Sequence, residues 1–127
     1  MSKNLTIIAA SDIKINETIY ALIKSTKYIK PYKTILFSSH LNSANKKNIE
    51  RFNFIEHIKI KPLNSLSDYS NFIIYELYEY IKTSHILIVQ WDGYVINPAK
   101  WSDDFLNYDY VGAPFIPRFS DYSYSRD

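Results

Sequence analysis

The chain has 127 residues, 46% of them hydrophobic and 22% charged, a globular balance sized for one domain. With 15 basic and 13 acidic side chains the net charge is +2, and no clustered basic stripe beyond Lys46-Lys47 marks a nucleic-acid surface. Cysteine is absent, which excludes disulfides, thiolate nucleophiles and zinc–sulfur sites.

The first element is the apolar run "LTIIAAS" (5–11), a buried strand that ends in Ser11 and Asp12. Its apolar part is too short for a signal-peptide core, and no run approaches the ~20 apolar residues of a membrane span. The expectation is a soluble, cytoplasmic protein with no membrane span and no nucleic-acid partner. Ile15, Ile19, Leu22, Ile23 and Thr26 recur at spacings of three and four, which predicts an amphipathic helix over 16–29, closed before Pro31. "KTILFSSH" (33–40) predicts a second strand breaking into Ser38, Ser39 and His40. "NSANKKNIERFNF" (42–54) predicts a short surface helix. "IEHIKIKP" (55–62) alternates Ile58 and Ile60 with charge, as a half-exposed strand near a sheet edge would.

"SLSDYSNFIIYELYEYIKTS" (65–84) carries the clearest helical pattern. Ser65 and Asp68 stand at capping-box spacing, and Tyr69, Phe72, Ile73, Leu77, Tyr80 and Ile81 form one apolar face. The helix, taken as 67–82, leads into "HILIVQWDGYVINP" (85–98), whose apolar start reads as a fully buried strand over 85–90. Beyond 97 the chain is turn-rich, with a short helix over 101–107. Strands at 5–10, 34–38 and 85–90 with helical crossovers imply an α/β domain with a mostly parallel sheet.

In open parallel sheets ligands bind outside the carboxyl ends of the strands. The polar residues delivered there are Ser11, Asp12, Ser38, Ser39, His40, Gln90 and Asp92, and Ser11, Asp12 and Asp92 are expected to cluster. For the serines helix capping is the favoured explanation. With only two glycines, Gly93 and Gly112, the chain has neither a dinucleotide-binding glycine turn nor a P-loop. A diphosphate can be held by another route, in which a carboxylate at a strand tip binds a divalent cation (Mn²⁺ or Mg²⁺) that neutralises the phosphates. Asp92 is the candidate metal ligand.

"HILIVQWDGYVINP" (85–98), Trp101, Phe105-Leu106 and "YDYVGAP" (108–114) together resemble a family of glycosyltransferase-like proteins catalogued as domain of unknown function 5672. The helix "YSNFIIYELYEYI" (69–81) resembles the one preceding this motif, so the likeness runs from about Leu5 to Pro114. It implies a GT-A-like three-layer fold and a nucleotide-diphosphate sugar as ligand. In those terms Ser11, Asp12, Gln90, Asp92 and Gly93 would bind the nucleotide and its metal, and Trp91, Asp109 and Gly112 the substrate. The chain departs from the pattern in having Gln90 where a second acidic residue is usual. It also stops at "FSDYSYSRD", before the family's glycine-rich segment. Residues 1–127 are accordingly expected to be a single, truncated glycosyltransferase-like domain, incomplete at its C-terminus. The alternatives are a non-catalytic remnant or binding module, or a subunit completed by a second chain carrying the missing half.

The remaining polar residues have structural explanations. His40, His57 and His85 share no metal-ligand spacing, although His40 follows a strand end. Asp103 and Asp104 suit a helix N-terminus. Asp109 could orient a loop or contact sugar hydroxyls. Trp91 and Trp101 could stack on a ligand or pack inward, and Gly112 and Pro114 would fix a turn near the site.

Overall fold

The computed structural model describes residues 2–112; Pro114 and everything else from 113 to 127 lies outside the described residues. Strand β1 (Ser2–Ala10) is followed by helix α1 (Ile15–Ile29), β2 (Pro31–Ser38), α2 (Ser43–Arg51), β3 (Ile55–Lys59), α3 (Leu66–Asn71) and β4 (His85–Ile88). The four strands form one sheet in the order β3-β2-β1-β4. Every pairing in it is parallel.

The two central strands explain the continuous apolar runs. Leu5, Ile7 and Ala9 of β1 pack with Ile15, Ile19, Leu22 and Ile29 of α1 and with Leu36 of β2. Ile8 and Ala10 alternate to the opposite face, where they meet Ile35, Phe37, Phe72 and Leu77. Helices thus cover both faces, which makes three layers. Burying a strand on both sides removes the need for polar alternation. The order of the four strands is that of a doubly wound, Rossmann-type sheet up to its fourth strand.

α1 ends on Lys30, whose left-handed backbone (φ 51°) closes the helix with an N–H bond to Thr26 O at 3.2 Å. α2 opens on a capping box in which Asn42 and Asn45 exchange side-chain and backbone bonds. Asn45 and Asn48 both donate to Asn16 Oδ1, fixing α2 to α1.

The predicted helix over 67–82 is present in altered form. α3 continues through a π turn (Phe72–Glu76) and a 3₁₀ turn (Leu77–Tyr80). The wide turn lets Phe72 and Leu77, five positions apart, both be buried beside Phe37. The Phe37 ring lies 5.0 Å from Phe72 and 5.2 Å from Tyr80.

The expected full burial of the strand at 85–90 is corrected by the structure. β4 ends at Ile88, and Ile86 and Ile88 are 37% and 38% exposed. Among the described residues β4 is an edge strand, paired through β1 only, so just one of its sides meets the sheet. β3 occupies the other edge, as its alternating sequence indicates. No described helix is long and apolar enough to cross a membrane.

Candidate functional site

β1 and β4 are neighbours in the sheet, and the strand order, which runs outward through β2 and β3, reverses between them. That reversal opens a crevice at the carboxyl ends of the two strands. The crevice is a cleft of about 380 Å³, within the range of small-molecule sites. Ser11, Asp12 and Ile13 enter it from the end of β1, and Val89, Gln90 and Trp91 from the end of β4. Leu63–Leu66 and Tyr69 close the side formed by the β3–α3 connection.

Asp12 is mainly a clamp. Its Oδ1 accepts from the Ser39 N–H at 2.6 Å and its Oδ2 from the Leu63 N–H at 2.7 Å. It therefore ties together the loops that follow β1, β2 and β3. Burial pushes its pKa up, but the bonds from Leu63 and Ser39 and the nearby His40 outweigh this and hold it below the ordinary carboxylate value. His40 Nδ1 lies 3.7 Å from Asp12 Oδ1, on the exposed side. The Ser11 hydroxyl is occupied within its own loop, donating to Ile13 O at 2.7 Å.

Gln90 and Gly93 exchange two backbone bonds, of 2.8 and 3.1 Å, around a tight turn with Trp91 and Asp92 at its tip. Trp91 lines the cleft, while Asp92 and Gly93 stand exposed beside it and do not line it. Neither tip residue has left-handed backbone, and a Cβ built on Gly93 meets nothing within 4 Å. This turn does not need glycine. The Lys14 ammonium sits 4.6 Å from the Trp91 ring centroid, a cation–π contact that helps orient the indole. The Gln90 side-chain amide donates to the Tyr69 hydroxyl at 3.1 Å.

Asp109 and Gly112 are placed elsewhere. Both line a second cavity along the outer side of β4, with Ile86, Ile88, Trp101 and Tyr108, and neither lines the cleft. His85 Nε2 lies 2.9 Å from Tyr108 O, which holds this segment to the start of β4. Trp101 packs on Phe105 and donates to Asp103 at 2.9 Å, and Ser102 caps the turn through the Asp104 N–H. The Ser38 hydroxyl gives its one proton to His40 O at 2.9 Å, so in the 2.7 Å bond to His57 Nε2 the imidazole N–H is the donor.

Among the described residues no group of three or more His, Asp or Glu side chains is disposed to hold a metal ion. A cation at Asp92 would take its remaining oxygens from a ligand and from water, a pattern usual for Mg²⁺. Tyr69 and the 63–66 wall were not singled out as site residues by the sequence. Tyr69 belongs to an apolar helical face, and periodicity alone cannot separate a core aromatic from one lining a cleft.

The profile of a family described as "Protein of unknown function (DUF5672)" matches residues 51–126. That span includes β3, α3, β4 and the "QWDG" turn. No curated protein and no solved structure matches the chain.

Proposed function

The chain belongs to the DUF5672 family of proteins of unknown function, and on that premise we propose that it is a GT-A-like domain that binds a nucleotide-diphosphate sugar. The observation that carries this reading is the placement of the "QWDG" turn at the switch point. Gln90 and Trp91 line a small-molecule cleft, and the exposed Asp92 follows Trp91 directly in the turn. The cleft would take the nucleoside end of the ligand. Asp92 would hold a divalent cation against the diphosphate, and such an ion supplies charge neutralisation for a departing diphosphate.

Binding without turnover is favoured by a second observation. Among the described residues Asp12 is the one acidic side chain lining the cleft, and both of its oxygens already accept backbone bonds. It is poorly suited to serve as a general base. The domain is then either a binding module or a subunit whose catalytic groups come from a second chain.

Calorimetry with UDP- and GDP-sugars, with and without Mn²⁺, tests the reading. Binding in the micromolar to millimolar range is expected, and Asp92→Asn should weaken it about tenfold only when the metal is present. A chain that binds no nucleotide or nucleotide sugar under either condition overturns it.

A further inference from the structure

The cleft's own chemistry points to which part of a nucleotide it takes. Its lining is mostly apolar, from Ala10, Ile13, Leu63, Leu66, Val89 and Trp91. No lysine or arginine lines it among the described residues, and its one carboxylate is bound to backbone N–H groups on both oxygens. A phosphate placed against these walls would face a carboxylate, while the Lys14 ammonium lies on the Trp91 ring and not among the lining groups. A neutral planar ring would meet apolar walls and an indole.

Polar features on the wall that keep hydrogen-bonding capacity include the Asn64 side chain and the Gln90–Tyr69 pair, and the pair is fixed by a bond between its own side chains. The Gln90 amide donates to the Tyr69 hydroxyl at 3.1 Å, which leaves the amide oxygen as an acceptor and the hydroxyl proton as a donor. If the amide is turned over, the hydroxyl donates to it, leaving an amide N–H as donor and the phenolic oxygen as acceptor. Either way the pair presents at least one donor beside an acceptor.

We propose that the Gln90–Tyr69 pair reads the hydrogen-bonding edge of a nucleobase seated in the switch-point cleft. Adjacent donor and acceptor atoms are what the pairing edge of a nucleobase offers, as in the N3–H and O4 of uracil. The inference rests on the nucleotide-sugar reading above and assigns the base to this cleft, with the diphosphate outside it toward Asp92. Gln90 and Tyr69 then become the residues that set base specificity.

The experiment takes whichever of UDP, GDP, ADP and CDP binds the full chain most tightly and compares it with its analogue methylated on that edge (N3 of a pyrimidine, N1 of a purine). The methylated ligand should bind the wild-type chain at least tenfold more weakly. In Gln90→Met and Tyr69→Phe that gap should shrink several-fold, because the donor–acceptor pair is broken while the apolar walls remain. Equal binding of both ligands to the wild type, or an undiminished gap in both variants, overturns the assignment while leaving nucleotide binding intact. Failure of all four diphosphates to bind overturns the nucleotide-sugar reading itself, and this assignment with it.

Discussion

Asp12 Oδ2 accepts the Leu63 backbone N–H at 2.7 Å and so joins the end of β1 to a loop 51 positions further along the chain. Its other oxygen holds Ser39, so one carboxylate sets the spacing of three loops around the cleft. Hydrogen bonds to a charged group contribute about 1.5–3 kcal/mol. Asp12→Ala leaves both N–H groups without this partner, and urea denaturation should show a loss of about 2–3 kcal/mol. The folded pKa lies below the ordinary 3.8. This stability is therefore fully present above that value and is lost as pH falls through the folded pKa. An Asp12→Ala chain as stable as the wild type would show that the clamp is idle.

His57 gives a second pH dependence at milder acidity. Burial lowers its pKa below 6.5, partly offset by its bond to Ser38. The unfolded chain then binds a proton before the folded chain does. Stability should be constant above about pH 6.5 and decline as pH falls from there toward the folded pKa. His57→Gln keeps a side-chain N–H for Ser38 and should flatten this part of the profile. Thermal denaturation between pH 5 and 8 provides the measurement.

Gly93→Ala should leave the fold unchanged, within about 0.5 kcal/mol. No atom lies within 4 Å of the added Cβ, and the glycine has no positive φ. A melting temperature equal to wild type, measured alongside nucleotide-sugar binding, would make any loss of affinity a direct report of ligand contact at the turn.

Lys30→Gly should stabilise the chain by up to about 1 kcal/mol. Lys30 holds φ 51° at the end of α1, a region that costs a side-chain-bearing residue about 1–2 kcal/mol. The greater freedom of glycine in the unfolded chain offsets part of the gain. A lower melting temperature for the variant would show that the lysine side chain compensates for its backbone.

Lys14 shares that backbone conformation, with φ 47°, but lies at the mouth of the cleft with its ammonium on Trp91. Both lysines flank α1, one at each end. No sequence pattern announces a left-handed lysine. The same holds for the π turn, since the order of apolar residues in 69–81 fits an ordinary helix and only packing against Phe37 selects the wider one.

By itself the sequence determined the alternation of strands and helices, the parallel sheet and the residues delivered to its carboxyl edge. Those follow from apolar run length and periodicity, which are local properties of the chain. Which of those residues share a cleft was decided by strand order. Placing β4 beside β1 brings Gln90 and Trp91 to Ser11 and Asp12, nearly eighty positions earlier, and leaves Asp109 and Gly112 along the outer side of β4. The role of Asp12 was decided in the same way. A carboxylate at a strand tip looks the same in sequence whether it faces a ligand or two backbone N–H groups, and only the folded loops supply those donors.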